Sequence, residues 1–285
     1  TRTSPTHSGM ERNRTSKTLW LSQSDYIHNV LKCFNMDNTK PVSTLIPTTI
    51  RLSDKDSPST KEERNLNRKI PYASAIGSIM SVMVANAVGV ASRYMSNLGR
   101  KHWEVIKHIL RYLRGTKGAQ LTFRSNNSTE VEGYTDSDYT KNMDNRKSIS
   151  GYVFTYGGGA ISWRSKLQEC MALSTTEAEY IVASDAAKEV VWLHCLSANF
   201  STKRRLDCPA LTIYCDSQSA IHLIRNPVYH AKAKHIEVRF HHIRELVTEK
   251  KLEVRKIDTE VNIVDCLTKP LPDQRFGALR TKLGL

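Results

Sequence analysis

Residues 131–140 read VEGYTDSDYT, and the rest of the chain is organised around this stretch. Its β-branched and aromatic residues are typical of a strand, and they end at two carboxylates one residue apart, Asp136 and Asp138. Charged side chains at a strand end are costly in a hydrophobic core but useful at a site open to water. Taken alone, the stretch is explained more simply as a solvated junction between strand and turn. Acidic residues further along the chain favour a site.

Further strand and helix patterns predict the class of the fold. Helices are indicated at 175–199, after residue 216 and near 260–268. Three meandering strands followed by alternating helices and strands predict an α/β fold, a mixed five-stranded sheet with flanking helices. A run of three glycines at 157–159 indicates a tight turn between two of the strands. Besides 131–136, strands are indicated at AQLTFR (119–124), SGYVFTY (150–156), AISWRS (160–165), LTIYC (211–215) and LEVRKI (252–257).

The N-terminal half has a different pattern. Residues 1–18 are polar and basic, and we expect little order there. Residues 38–68 contain three prolines and a charged tail, which is typical of a linker or an extended arm. The segment 70–95 predicts a helix pair or one buried helix, and 99–116 predicts an amphipathic helix. The basic face of that amphipathic helix is a candidate for phosphate contacts, although solvated surface explains it more simply.

Composition narrows the classes of partner and compartment. The 285 residues carry a formal net charge of +14, which favours a polyanion such as nucleic acid; a merely soluble basic protein is the alternative. The six cysteines are scattered without paired spacing, which argues against a zinc site or disulfide framework and indicates a reducing compartment. No apolar run approaches the roughly 20 residues of a membrane span, so we expect no membrane partner. The chain does not begin with Met, and we expect it to be part of a longer protein.

Three later acidic residues, Glu179, Asp216 and Asp265, also stand at the edges of predicted elements. Ser174 and Glu177 fit a capping box, whereas Glu179 lies about 200° further round the helix, toward the sheet; a solvated first-turn glutamate is the alternative. Asp216 follows an apolar strand, where active sites form in open α/β sheets, but it is also a good helix cap. Asp265 stands near buried surface just inside the last predicted helix, although an exposed position is the simpler explanation.

Together with Asp136, these three acids predict a metal centre. The four stretches supply no matching basic residues, so we expect the carboxylates to converge around cations. Oxygen-only ligands suit Mg²⁺, with Mn²⁺ as an alternative, rather than zinc. Two such ions bridged by a carboxylate stabilise the attacking and leaving oxygens in phosphodiester hydrolysis.

At these residues the chain resembles the ribonuclease H domain of Copia-type LTR retrotransposon Pol polyproteins. Upstream, 20–46 resembles the thumb end of a reverse transcriptase, and 70–116 resembles the connection that follows. The resemblance implies a thumb and linker remnant (1–60), a mostly helical connection (61–128) and a ribonuclease H-like domain (129–285). The matching strings of that domain are long and in the family's order: GYTDSDY, RKSISGYVFTYGGGAISWRSKLQ, ALSTTEAEY, IYCDSQSAI, KHIEVRFHHIRE and TEVNIVDCLTKPL.

The resemblance implies Mg²⁺-dependent endonucleolytic cleavage of the RNA strand of RNA–DNA hybrids during reverse transcription. Asp136, Glu179, Asp216 and Asp265 match the family's catalytic, metal-binding acids. The implied partners are the hybrid and the polymerase domain of the same polyprotein. The implied location is cytoplasmic, in a virus-like particle, with the nucleus as an alternative, and not secreted. The basic residues expected to contact nucleic acid are Lys101, Lys107, Arg111, Arg114, Arg146, Lys147, Arg164, Lys166 and Lys234.

Departures from the family pattern keep other hypotheses open. The Tyr-x-Asp-Asp signature of the polymerase is absent, so we do not expect this chain to polymerise. A family segment near residue 85 is missing. These losses favour, as the alternative hypothesis, a catalytically inactive nucleic-acid-binding remnant of a decayed mobile element. A third hypothesis is an integrase or resolvase on the same fold. Cellular ribonucleases H carry a histidine before the last Asp, which 258–264 lacks, and the candidate replacements are His230, His235, His241 and His242.

Overall fold

The computed structural model describes residues 2–4, 10–15, 17–79, 84–125, 127, 130–140, 142–200, 210–226 and 242–285. Its strands are β1 (Arg2–Ser4), β2 (Glu11–Arg14), β3 (Thr18–Ser22), β4 (Gln120–Arg124), β5 (Glu132–Asp138), β6 (Ile149–Tyr156), β7 (Gly159–Leu167), β8 (Leu211–Cys215) and β9 (Leu252–Lys256). Its α-helices are α1 (Ser24–Cys33), α2 (Lys61–Asn67), α3 (Tyr72–Ser78), α4 (Ala85–Ser92), α5 (Arg100–Gly115), α6 (Thr175–Phe200), α7 (Gln218–Arg225), α8 (His242–Thr248), α9 (Asp265–Thr268) and α10 (Asp273–Lys282).

β5 is the central strand of a five-stranded mixed sheet whose order is β7-β6-β5-β8-β9. β5, β6 and β7 form an antiparallel meander, whereas β8 and β9 run parallel to β5. Thr135 of β5 is paired with Cys215 of β8, so the residues that follow, Asp136 and Asp216, come at the same edge of the sheet. The predicted α/β class with a ribonuclease H-like mixed sheet is therefore confirmed.

Helices cover both faces of this sheet. On one face, α6, α7 and α8 form a buried cluster with the sheet that includes Phe154, Ile181 and Ile213. On the opposite face, α4, α5, α9 and α10 form a second cluster that includes Val153 and Leu267. The neighbours Val153 and Phe154 enter different clusters because successive side chains of a strand point to opposite faces. The helices of the N-terminal part thus cover much of the second face of the sheet.

Part of the N-terminal segment forms a second sheet that the sequence did not predict. β1, β2, β3 and β4 pair in that order, all antiparallel. The expectation of little order in residues 1–18 is therefore wrong for the strands Arg2–Ser4 and Glu11–Arg14. Backbone pairing with a neighbour satisfies the N–H and C=O groups of a strand whatever its side chains are, so a polar sequence does not prevent it.

The segments between β3 and β4 follow the predictions more closely. The helix pair predicted for 70–95 is confirmed as α3 and α4, with 80–83 outside the described residues. The predicted amphipathic helix is confirmed as α5. The linker predicted at 38–68 is only partly extended, because Leu45 and Leu52 are buried in the second cluster and α2 follows. The predicted divisions of the chain after residues 60 and 128 stay predictions.

The C-terminal segment differs from the prediction in its helices. The single helix expected near 260–268 is a short 3₁₀ turn, Thr259–Val261, followed by the single-turn helix α9. Pro270 and Pro272 then separate α9 from α10, since proline cannot continue a helix but starts one well. Among the helices of the described residues, none is both long enough and apolar enough to cross a membrane.

Candidate active site

Asp136 lies near the C-terminal end of β5, and its carboxylate is almost completely buried. Its Oδ1 accepts a 3.1 Å hydrogen bond from Lys269 Nζ, and its Oδ2 accepts one from the Thr268 hydroxyl. Burial raises the pKa of Asp136 to about 6, and the charge of Lys269 and the Thr268 hydroxyl oppose that rise. The carboxylate is therefore charged at neutral pH because nearby donors compensate for the water it has lost.

Asp265 is the first residue of α9 and is as deeply buried as Asp136. Its Oδ1 accepts a 2.9 Å hydrogen bond from Lys269 Nζ. Its Oδ2 accepts a hydrogen bond from the guanidinium of Arg275, which lies on α10. A single ammonium group thus bridges two buried carboxylates from separate elements.

Buried polar contacts hold α9 against the sheet. Asn262 Nδ2 donates a 2.9 Å hydrogen bond to the carbonyl oxygen of Thr135 in β5. The carbonyl oxygen of Leu267 accepts hydrogen bonds from Asn86 Nδ2 of α4 at 2.9 Å and from the Ser165 hydroxyl of β7 at 2.6 Å. Because a buried amide left without a partner is costly, these contacts fix the helix that carries Asp265. The Asn262 and Asn86 side chains are both buried.

Capping contacts fix the start of α6. Glu177 Oε2 accepts a 2.8 Å hydrogen bond from the Leu173 N–H, and the Ser174 hydroxyl accepts one from the Glu177 N–H at 3.1 Å. The predicted fold-back of Glu177 onto the helix end is therefore confirmed.

Glu179 faces the sheet, as predicted, and is buried. Its Oε1 accepts a 2.9 Å hydrogen bond from the Ser137 N–H in β5. Burial, and then the like charges of Asp136 and Asp216, raise the pKa of Glu179 well above its ordinary value. Glu179 therefore lies close to two other carboxylates, and no lysine or arginine of the described residues forms an ion pair with it, an environment that favours a cation.

Asp216 follows β8 and is partly exposed. Its Oδ2 accepts a 2.9 Å hydrogen bond from the Thr259 hydroxyl. Ser217 rather than Asp216 caps α7 with its hydroxyl, so the alternative role of Asp216 as helix cap is wrong. One possible ligand atom from each of Glu179, Cys215 and Asp216 lies within 4.8 Å of the other two, close enough to surround one cation.

The Cys215 thiol faces Glu179 within this group. Burial, and then the charge of Glu179, raise the pKa of Cys215 to about 12. The thiol therefore stays protonated at neutral pH, with Sγ 3.8 Å from Glu179 Oε2. The carboxylate oxygens are the candidate ligands.

The four predicted acids thus meet at one edge of the sheet in two halves. Glu179 and Asp216 form the first half, and Asp136 and Asp265 form the second. The halves adjoin, because Glu179 accepts its hydrogen bond from the N–H of Ser137, the residue that follows Asp136 in β5.

Two basic residues accompany the acids, and the expectation that there are none is wrong. Lys269 pairs with Asp136 and Asp265, and Arg275 pairs with Asp265. The sequence carried a signal for the first, since Lys269 follows Asp265 by four positions, the spacing of neighbours on a helix. Thr268 and Arg275 carried no comparable signal, because their roles depend on how α9 and α10 pack.

Gln168 joins the elements that carry the acids, and the sequence analysis gave it no role. Its Nε2 lies 2.9 Å from Ser150 Oγ, 3.0 Å from the carbonyl oxygen of Ala178 and 3.4 Å from Ser137 Oγ. These partners belong to β6, to α6 and to β5. Ala178 precedes Glu179 and Ser137 follows Asp136. Gln168 therefore fixes the separation between Asp136 and Glu179.

The predicted nucleic-acid contacts on α5 are engaged within the protein. Lys101 and Lys107 form ion pairs with nearby acids, and Arg111 donates to a backbone carbonyl of the preceding linker. Arg114 is half-buried. These contacts reduce the positive charge that this helix presents to a phosphate backbone.

Two of the predicted contacts on the sheet line a cleft. Arg164 and Lys166 of β7 line this cleft of about 120 Å³ together with Gln168, and Lys166 forms a 3.0 Å ion pair with Glu169. Arg146 is exposed, and Lys147 donates to a backbone carbonyl. Lys234 lies outside the described residues, as do His230, His235 and His241. His242 pairs with Glu245 on the exposed side of α8 at 3.0 Å.

Comparisons with known proteins identify relatives over nearly the whole chain. It is 50% identical over 280 residues, 96% of its length, to the retrovirus-related Pol polyprotein from transposon TNT 1-94 of Nicotiana tabacum. It is 33% identical over 97% of its length to the Pol polyprotein from transposon RE2 of Arabidopsis thaliana, and 32% identical over 97% to that from transposon RE1. No family model matches the chain.

The chain spans only 21% of the tobacco relative and 19% of each Arabidopsis relative. Its ribonuclease H-like sheet and the extent of these similarities agree with the resemblance seen in its sequence strings. The chain belongs to the retrovirus-related Pol polyproteins of Copia-type transposons.

Proposed function

We propose that this chain is the ribonuclease H region of a retrotransposon Pol polyprotein, an Mg²⁺-dependent endonuclease that hydrolyses the RNA strand of RNA–DNA hybrids during reverse transcription. The observation that supports this most strongly is the meeting of Asp136, Glu179, Asp216 and Asp265 at one edge of the sheet. The polymerase domain of the same polyprotein is its proposed partner, in the cytoplasm.

The Glu179/Asp216 half fits a hard divalent cation. A carboxylate oxygen of Glu179 and one of Asp216 lie within 4.8 Å of each other. The negative charge of Asp136 acts on Glu179 as well. Oxygen ligands and uncompensated negative charge favour Mg²⁺ or Mn²⁺. Such an ion supplies Lewis-acid polarisation of a phosphate oxygen and a more acidic bound water. The chain's own contribution is to orient these carboxylates through the Ser137 N–H and the Thr259 hydroxyl.

A hybrid substrate is favoured by the charge of the protein and by the cleft that Gln168 and two basic residues line. The net charge of +14 favours a polyanion, and Arg164 and Lys166 are exposed basic residues next to the buried Gln168. We expect these two side chains to contact the backbone of the bound duplex, with Lys166 leaving its 3.0 Å ion pair with the exposed Glu169.

A cleavage assay tests the proposal. The full chain should cut the RNA strand of a labelled hybrid with Mg²⁺ and should stop when the metal is chelated. Asp136→Asn and Asp216→Asn should each lower the rate on the order of 10³-fold or more, because a charged group at the reacting centre is lost, while salt-sensitive binding remains. Asp25→Asn, on α1, is the matched control and should cut normally. Equal cleavage by both site variants and the unmodified chain would exclude this mechanism.

A second candidate function is that of a non-catalytic nucleic-acid-binding remnant. The ion pairs of Lys269 and Arg275 favour it, because they neutralise two of the four acids without any metal. It predicts salt-sensitive hybrid binding and no cleavage with Mg²⁺ or Mn²⁺. The same assay separates the two candidates.

A further inference from the structure

The positively charged ammonium of Lys269 lies between two buried carboxylates. Its Nζ lies 3.1 Å from Asp136 Oδ1 and 2.9 Å from Asp265 Oδ1. The two carboxylate side chains are only 2% and 1% exposed, whereas that of Lys269 is 29% exposed. The side chain of Lys269 is therefore partly exposed to solvent, while its two partners are not.

The remaining oxygens of this half also have protein donors. Asp136 Oδ2 accepts from the Thr268 hydroxyl, and Asp265 Oδ2 accepts from Arg275. Each of the four carboxylate oxygens of the pair thus has a donor from the protein. A second metal ion at this half would lie against the ammonium of Lys269 and the guanidinium of Arg275, which already pair with the two carboxylates, so its binding there is costly.

The Glu179/Asp216 half is different. Glu179 accepts hydrogen bonds from the Ser137 N–H and faces the Cys215 thiol, and Asp216 accepts from the Thr259 hydroxyl; all three donors are neutral. Within the part of the chain that the structure describes, no lysine or arginine side chain forms an ion pair with Glu179 or Asp216. Lys256 donates to the backbone carbonyl of Asp216 rather than to its carboxylate, and Lys269, which acts on Glu179 through its charge, pairs with the other two acids.

Formal charge gives the same division. The four acids carry four negative charges when ionised, and Lys269 and Arg275 bring two positive charges to the Asp136/Asp265 half, where Arg275 also lies 3.6 Å from the exposed Glu260. Two negative charges remain, which one divalent cation matches. Two divalent cations would leave an excess of two positive charges before any phosphate arrives.

We propose that Lys269 is the resident cation of the Asp136/Asp265 half, so that the chain binds one divalent metal ion, at the Glu179/Asp216 half, and not two. The inference rests on the proposed function, and it replaces the expected pair of ions with one ion and one lysine. An ammonium has three donors, and the two carboxylates use two of them. The third is available to an oxygen of the bound phosphate, where the partly exposed side chain meets solvent.

The test is the number of Mn²⁺ ions bound per chain, measured on the full chain by titration with detection of free Mn²⁺ by electron paramagnetic resonance. The unmodified protein should bind one ion at this site. Lys269→Ala should bind two, because the Asp136/Asp265 half then lacks its ammonium. Lys269→Arg should bind one, because the charge is kept. Lys251→Ala, which removes an exposed ion pair with Glu249, is the matched control and should bind one.

Two ions on the unmodified protein, or one on a folded Lys269→Ala variant, would overturn the proposal. The first measurement needs no variant, so the proposal stays testable if Lys269→Ala does not fold. The count is independent of catalysis. One bound ion without hybrid cleavage would therefore reject the proposed function and leave the role of Lys269 standing, whereas cleavage with two bound ions would do the reverse.

Discussion

Replacing Glu179 with Gln should stabilise the metal-free protein. Gln keeps an oxygen to accept the 2.9 Å hydrogen bond from the Ser137 N–H, but it brings no charge to be desolvated or repelled by Asp136 and Asp216. Because folding raises the pKa of Glu179, the native state holds the proton more tightly than the unfolded chain does. The unmodified protein therefore loses stability relative to Glu179→Gln as the pH rises above the ordinary value of 4.5.

The magnitude follows from the pH interval. Each pH unit between the ordinary pKa and the raised pKa of Glu179 costs the unmodified protein about 1.4 kcal/mol. Between pH 4.5 and pH 7 the accumulated cost is at most about 3.5 kcal/mol. A chain of this size changes its Tm by roughly 2–3 °C per kcal/mol, so the variant should melt several degrees higher at pH 7. At pH 4 the two proteins should agree within about 0.5 kcal/mol.

Unfolding by urea in the presence of a chelator, from pH 4 to pH 8, measures this difference. Glu177→Gln is the matched control on the same helix; it weakens a cap and should lower the free energy of unfolding by about 0.5 kcal/mol. Mg²⁺ should raise the stability of the unmodified protein more than that of Glu179→Gln. The reasoning fails if Glu179→Gln is no more stable than the unmodified protein at pH 7, or if its advantage does not shrink toward pH 4.

Two further substitutions test the support of the site. A Cβ at Gly151 would lie 2.6 Å from Thr268 Cγ2, so Gly151→Ala should displace α9. The variant should lower the free energy of unfolding, measured in urea, by about 1–3 kcal/mol and should slow cleavage. Gly277→Ala is the control and should be neutral or stabilising, because an added Cβ there meets nothing within 4 Å. Gln168→Leu should cost about 2–3 kcal/mol and slow cleavage, because the Ser150 hydroxyl and the Ala178 carbonyl lose their shared donor; unchanged stability and rate would remove Gln168 as a positioning residue.

The fold of the C-terminal half was predictable because its signals are local. Alternating strand residues, the turn at 157–159 and the capping residues Ser174 and Glu177 all act within a few positions of one another. The acids were predictable for the same reason, since each stands where a regular element begins or ends. Their order along the chain also matched the family strings.

The helix α10 shows where such signals are too weak. Its sequence, DQRFGALRTK, contains a glycine and few apolar residues, so no clear stripe marks it. It forms because Phe276 and Leu279 are buried in the second cluster, where the Phe276 ring lies 5.7 Å from that of Tyr112. The same applies to β1 and β2, whose pairing depends on β3.

Local patterns along the chain were sufficient to predict the ribonuclease H-like class, the meander of strands and the four acids at the ends of elements. The packing of distant elements was needed to show that Asp136 and Asp265 share Lys269, that Asn86 of α4 holds α9, and that Gln168 joins three elements. The contacts of Thr268 and Lys269 with Asp136 cross more than 130 positions. A local pattern cannot specify such partners, because the energy that pairs them arises only when burial removes water from both.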